Sequence, residues 1–387
     1  MTERPSALNR FEKPALVVGI VGLVLSAIGG FLQPPHFFQA YLVAYIFWAS
    51  IALGSIALLA IQYLTGGVWG VLIRRPLESA AKTLPLLLIG FVPIFLGMRH
   101  LYSWSRHDVM EHDVLLQKKA AYLNVPFFSA RTIVFFILWI AIGYLLTKWD
   151  REYEDTGNPR LILRIRKVSA AALLIMTLTL TFASVDWMMS LEPHWYSTMY
   201  GISFVVGTLL SAMTFAIMVT VRLADEKPMA EVVAPTHLRD LGNLTFAFTM
   251  LWAYTAFSQF LLIWYGNLKE ETPWYLVRSH GGWGVIAVLL MVFHFFVPFL
   301  LLLMRDVKDR AKTLGTVAAI LLAMRLVDYF WLITPAFHRE VFFIHWLHVA
   351  TVVGIGGVWL YLFLVRLREE SPLPMYEEVV REALTHG

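Results

Sequence analysis

Ten long apolar stretches, separated by mostly short polar connections, set the pattern of this chain. They run near 14–33, 39–63, 82–98, 127–147, 168–190, 199–221, 241–265, 281–304, 313–334 and 342–365. Each is close to the roughly 20 residues that an α-helix needs to cross a bilayer core. The third is the least regular, because Pro85 and Pro93 interrupt a short run. Both are tolerable in a membrane helix whose neighbours re-satisfy the freed backbone groups. The pattern predicts an all-α integral membrane protein of ten transmembrane helices. It forms one polytopic domain over 1–387, with a tail from 369 to 387. No repeat, separate soluble domain or low-complexity segment stands out.

Composition agrees. The 387 residues are 58% hydrophobic and only 15% charged, with a mean hydropathy of +0.66, which is unlike a soluble domain. There is no cysteine, which excludes Cys-ligated iron–sulfur clusters, c-type haem attachment, thiol catalysis and disulfides. The first run follows Lys13 without a small-residue cleavage site, so no cleaved signal peptide is expected.

Ten spans put both termini and the even-numbered connections on one side. That side carries 22 Lys and Arg against 7 on the other, with Arg131 and Arg325 inside spans. The excess of positive charge predicts cytoplasmic termini. The longest outer connection, Arg99 to Pro126, holds Arg99, His100, Arg106, His107, Glu111, His112 and Asp113. The link from Lys148 to Lys167 is densely charged and reads as a solvated loop. In the tail, Tyr376, Val379, Val380, Ala383 and Leu384 make one apolar helical face, suited to lying on a membrane surface.

The candidate chemistry lies where ionisable residues fall inside apolar runs, since such residues are costly there. Asp186 sits near the end of span five, in SVDWMMSLEPHWYSTMYG (184–201), among Trp187, Trp195, Tyr196 and Tyr200. Aromatics of this kind mark a membrane–water boundary. A simple role for Asp186 would be to cap the helix or reach out to water. Arg325 and Asp328 of span nine are three apart and can pair on one helix face. His345 and His348 of span ten are also three apart. Counted at ~1.5 Å per residue, all five lie in the outer half of the bilayer. His294 of span eight, ~21 Å below His280, falls in the inner half. The expectation is one connected polar site of Asp186, Arg325, Asp328, His345 and His348, with Asp186 paired to a histidine. Against it stands a structural ion pair beside ordinary core histidines. Thr245 and Thr249 of span seven, and Thr177 to Ser184 of span five, suit a water chain or plain interhelical hydrogen bonds.

His280 and His294 are fourteen apart, but no second span carries the matching pair that a two-haem cytochrome needs. There is no P-loop and no dinucleotide fingerprint in context, and nothing points to nucleic acid.

SVDWMMSLEPHWYSTMYG, the run KKAAYLNVPFFSAR (118–131) and ten spans with cytoplasmic termini together resemble the F subunit of alternative complex III. That complex is a bacterial quinol:electron-acceptor oxidoreductase. Its F subunit is similar to the membrane anchors of polysulfide and nitrite reductases. The resemblance covers essentially the whole chain. It implies two packed helical bundles in the bacterial inner (cytoplasmic) membrane and no haem or metal in this subunit. The implied partners are a homologous ten-helix membrane subunit, an iron–sulfur subunit, haem c subunits and lipids, with a terminal oxidase as a further partner. Quinol oxidation is expected mainly in the partner membrane subunit, and quinone is the one small molecule expected here. Carried onto this sequence, a proton path would use Asp186, Arg325, Asp328, His345 and His348, with His294. A pure scaffold and a secondary transporter are the competing readings.

Overall fold

The computed structural model describes residues 6–67, 69–369, 371 and 373–374. The amphipathic tail face read from Tyr376 to Leu384 lies outside them. Among the described residues there is no strand, and ten helices are long and apolar enough to cross a membrane. They are α1 (Arg10–Leu32), α2 (Pro34–Thr65), α3 (Trp69–Leu96), α4 (Val125–Thr156), α5 (Pro159–Leu191), α6 (Thr198–Leu223), α7 (Pro235–Gly266), α8 (Trp283–Leu303), α9 (Ala311–Ala336) and α10 (Trp346–Arg368). The chain is a multi-pass membrane protein by this architecture.

The helices differ from the apolar runs in two places. α3 starts at Trp69, so Arg74 and Arg75, expected in a loop, lie on a buried helical turn. Its later part breaks into Leu84–Gly90 and Val92–Leu96, each with a proline in its first turn. Two tyrosines of α2 cover the break. Tyr41 donates to the Gly90 carbonyl at 2.6 Å and Tyr45 to the Leu87 carbonyl at 2.7 Å. A proline-broken membrane helix is tolerated where neighbours satisfy its loose carbonyls in this way. The second difference is the charged link between spans four and five. It is helical to Thr156 and again from Pro159, and Asp150 within it is buried rather than solvated. Gly157, at φ +62°, makes the left-handed turn between the two helices.

α2 is apolar all round because it is enclosed all round: 94% of its spanning window is buried. It packs on α3, α5, α6 and α10, while α6 packs on α5, α7 and α9. α8 lies against α7 and α9, and α4 against α5 and α3. α1 packs chiefly on α10. There the backbones touch. A Cβ on Gly22 would meet the Gly354 backbone nitrogen at 2.6 Å, and one on Gly354 would meet that of Leu23 at 2.7 Å. Gly19 and Gly357 oppose each other in the same manner. Small residues at a crossing are the usual means of close approach in lipid, where burial of apolar surface gives helices no drive to associate.

Candidate functional site

The expected single polar site is three separate groups, and no hydrogen bond or ion pair among the described residues joins them. The first lies at the ends of α4 and α5 away from the termini. Asn124 caps α4 by accepting from Phe127 N at 2.9 Å, which sets Arg131 on the second turn. Arg131 meets Asp186 in a two-pronged pair, Nε to Oδ2 and Nη2 to Oδ1, both 2.9 Å. Asp186 is fully buried and therefore does not reach out to water. Its partner is this arginine and not a histidine. The guanidinium sits in the corner between the Tyr122 ring, 3.8 Å away, and the Phe127 ring, 4.2 Å away, which stand edge-on to each other. Lys119 Nζ donates to the Pro193 carbonyl at 2.6 Å, and His194 Nε2 lies 2.7 Å from Asp113 Oδ2. Asp113 also caps a short helix, accepting from Leu115 N and Leu116 N. Those backbone hydrogen bonds first, and His194 after them, hold its carboxyl below the usual range. The segments 118–131 and 184–201 thus clasp each other. Beyond them, Glu192 accepts from Arg278 Nη2 at 2.8 Å, and Trp195 stacks on Trp274 at 4.6 Å. The clasp therefore reaches across to the α7–α8 connection.

The second group is buried between α6, α7, α8 and α9. Arg325 and Asp328 pair along one face of α9, as their spacing predicts. Trp252 of α7 donates its Nε1 proton to Asp328 Oδ2 at 3.2 Å. Ser211 Oγ of α6 accepts from Arg325 Nε at 3.4 Å. The guanidinium also lies over the Tyr329 ring, 4.5 Å away. His294 belongs here, contrary to its expected isolation. Its ring stands edge-on to Trp252 with centroids 4.0 Å apart. A π-helical turn over Leu290–Phe296 re-aims this part of α8. His294 is fully buried, and neither ring nitrogen has a hydrogen-bond partner. The Tyr329 hydroxyl at the same centre is likewise buried without a hydrogen-bond partner. An arginine stays cationic at any physiological pH, so this centre holds one fixed charge beside groups that can exchange protons.

The third group gathers His345 and His348 with two histidines that the sequence reading did not single out, His36 and His338. Here the α1–α2 turn meets the α9–α10 connection. The His36 ring stacks on His345 at 5.2 Å and on His338 at 5.9 Å, and Phe343 stacks on His338 at 4.0 Å. His338 Nε2 lies 3.0 Å from Gln39 Oε1. His345 caps α10, and its backbone nitrogen donates to His348 Nδ1 at 3.2 Å. Burial, with the neighbouring His36 adding to it, pushes the His338 and His345 rings below the ordinary histidine pKa. The rings meet face to face. Among the described residues no group of three or more His, Cys, Asp and Glu is placed to hold a metal ion.

A further polar network lies at the opposite ends of α3 and α4. Arg75 Nη1 binds Glu78 at 2.7 Å and Asp150 at 3.4 Å, and its Nη2 pairs with Glu154. Arg74 lies 3.8 Å from Asp150. The Arg75-x-x-Glu78 spacing was the available signal. It falls between the second and third apolar runs, and there the charges alone read as a connection.

The hydroxyls of α5 and α7 serve the helices themselves. Thr245 and Thr249 donate to carbonyls one turn back, at 2.8 and 2.9 Å, and Thr179 accepts from Trp139 Nε1 at 2.8 Å. Comparison with known proteins matches the chain to no family model and to no curated sequence.

Proposed function

We propose that the chain is an integral membrane subunit of a respiratory quinol:electron-acceptor oxidoreductase of the alternative complex III type, without a redox centre of its own. In this reading α2–α5 and α6–α9 are its two bundles, with α1 and α10 outside them, and both termini face the cytoplasm. It sits in the bacterial inner membrane beside a homologous ten-helix subunit, an iron–sulfur subunit and haem c subunits.

One observation carries the functional part: the buried Arg325–Asp328 pair with Trp252 and the unpartnered His294. Four helices converge on it, and apolar packing of similar volume is often as stable as a buried ion pair or better by ~1–4 kcal/mol. A proton-handling role gives such a centre a reason to exist. Asp328 and His294 would exchange protons while Arg325 stays charged and holds the local field. The bidentate Arg131–Asp186 pair supports a different role for Asp186, that of a clasp holding the outer ends of α4 and α5. The scaffold reading is therefore favoured for that residue alone.

The direct experiment is purification of the chain from its native membrane. Co-purification of stoichiometric haem c and iron–sulfur subunits is the expected result, and isolation as a lone solute carrier would overturn the assignment. In the assembled complex, Asp328→Asn should slow quinol turnover or abolish its coupled proton release. Unchanged turnover and proton release would leave only a scaffold. A reporter fused after Gly387 should be active in the cytoplasm.

A further inference from the structure

On the face opposite the termini, four of the connections between helices surround a cavity of 580 Å³. Arg99 and Arg106 enter it from the α3–α4 connection, Lys269 and Glu270 from α7–α8, Arg339 from α9–α10, and Glu192 from α5–α6. Four cations against two carboxylates leave an excess of positive charge. Glu192 is already engaged, by Arg278 at 2.8 Å and by Arg339 at 3.7 Å. Arg99, Arg106 and Lys269 have no ion-pair partner among the described residues.

That concentration is selective. Elsewhere on this face Lys119, Arg131 and Arg278 are each bound to a carbonyl or carboxylate. Lys118 also lacks such a partner but lies outside the cavity. A solvated basic surface would scatter its charges to reduce repulsion. Here three converge on one concavity, whose low-dielectric walls focus their field. Guanidinium groups match carboxylate and phosphate oxygens two at a time. The volume falls within the ~300–1,000 Å³ of small-molecule sites and far exceeds one oxyanion. The stacked Trp195–Trp274 pair, 4.6 Å apart, supplies a rigid apolar wall.

We propose that this cavity binds a compact organic anion bearing two or more carboxylate or phosphate groups. Arg99, Arg106 and Lys269 neutralise it, and the tryptophan wall packs against its apolar body. The source is either a water-soluble anion or the headgroup of an anionic lipid, and the two are separable.

The test uses the full chain in phosphatidylcholine nanodiscs, titrated calorimetrically with benzene-1,2,4-tricarboxylate, citrate and pyrophosphate. The tricarboxylate should bind one to one and weaken as salt is raised. Arg99→Gln and Arg106→Gln should each weaken it roughly tenfold or more, as expected for loss of a charge-assisted hydrogen bond. Lys269→Gln, on an exposed connection, provides a variant whose folding is not at issue. Lys118→Gln should leave the affinity unchanged. Nanodiscs containing phosphatidylglycerol decide the source: loss of tricarboxylate binding there assigns the site to a lipid headgroup, and unchanged binding assigns it to a soluble anion. Absence of saturable binding by all three probes in phosphatidylcholine discs would overturn the proposal. An equal loss in Lys118→Gln would do the same, because diffuse surface charge would then account for the binding.

Discussion

Gly207 of α6 faces the guanidinium of Arg325 on α9 so closely that a Cβ at 207 would overlap it. The buried cation therefore occupies space that only a glycine leaves. Arg325 is the flexible member of this contact, so a methyl group at 207 should displace its head and leave the helices in place. We expect Gly207→Ala to cost on the order of 1–3 kcal/mol, the range for overpacking a core. Thermal unfolding in nanodiscs measures it. Ser211→Ala, which removes one long hydrogen bond to Arg325, should cost less. If Gly207→Ala is as stable as the parent, α6 and α9 do not meet in this register.

The Arg131–Asp186 pair gives the largest expected single-site effect. Asp186→Asn leaves a cation that is only 10% exposed without its counter-charge, at a cost of about 3–5 kcal/mol. A proton-path role for Asp186 would instead predict a stable protein with impaired turnover. Arg131→Met combined with Asp186→Leu should recover most of the loss, because neither charge is then stranded. A double variant as unstable as the worse single variant would count against a pairwise clasp.

Asp150→Asn should be milder than Asp186→Asn. Arg75 keeps Glu78 and Glu154 as partners when Asp150 loses its charge, whereas Arg131 keeps no other carboxylate that the structure shows. The ranking can be read from chemical unfolding of the two variants under one condition. The reverse order would show that Glu78 and Glu154 do not compensate the loss of the Asp150 charge.

The histidine stack makes the protein acid-sensitive. His338 and His345 are held below their ordinary pKa, first by burial and then by His36. The unfolded chain therefore binds their protons more readily than the native chain does. Stability is fully present above the unfolded histidine pKa of about 6.5 and falls as pH drops from there toward the lower native values. Melting temperatures across that window should decline, and His338→Phe should flatten the decline. A parent protein equally stable at both ends of the window would refute this.

Helix count and position were legible because bilayer thickness sets a length that apolar runs must meet. Each of the ten runs corresponds to one of the ten long helices, the third with a break. What the chain did not disclose was angular position. Counting rise along a helix placed Asp186, Arg325, Asp328, His345 and His348 at similar depth, yet depth does not say which neighbours a side chain faces. Arg131 was visible as a charge within a span, and the two-pronged fit to Asp186 became apparent only once α4 lay beside α5. His294 was named for the path, but its place beside Trp252 and Arg325 escaped for a further reason. A π-helical turn shifts the face on which later residues lie, and no residue type announces such a turn. His36 and His338 were invisible as a pair because 301 positions separate them and the packing of α2 on α9 and α10 is what draws their segments together.

The glycine crossing of α1 with α10 sets a problem of timing during biosynthesis. α1 finds its principal neighbour in α10, about 330 residues later, which at ~5–20 residues per second is roughly 20–70 s of elongation. Throughout that interval the bare glycine face of α1 must be accommodated by lipid or by the insertion machinery. Closure of that crossing then follows insertion of every helix between them, and it reports that the chain from α1 to α10 has been delivered to the membrane.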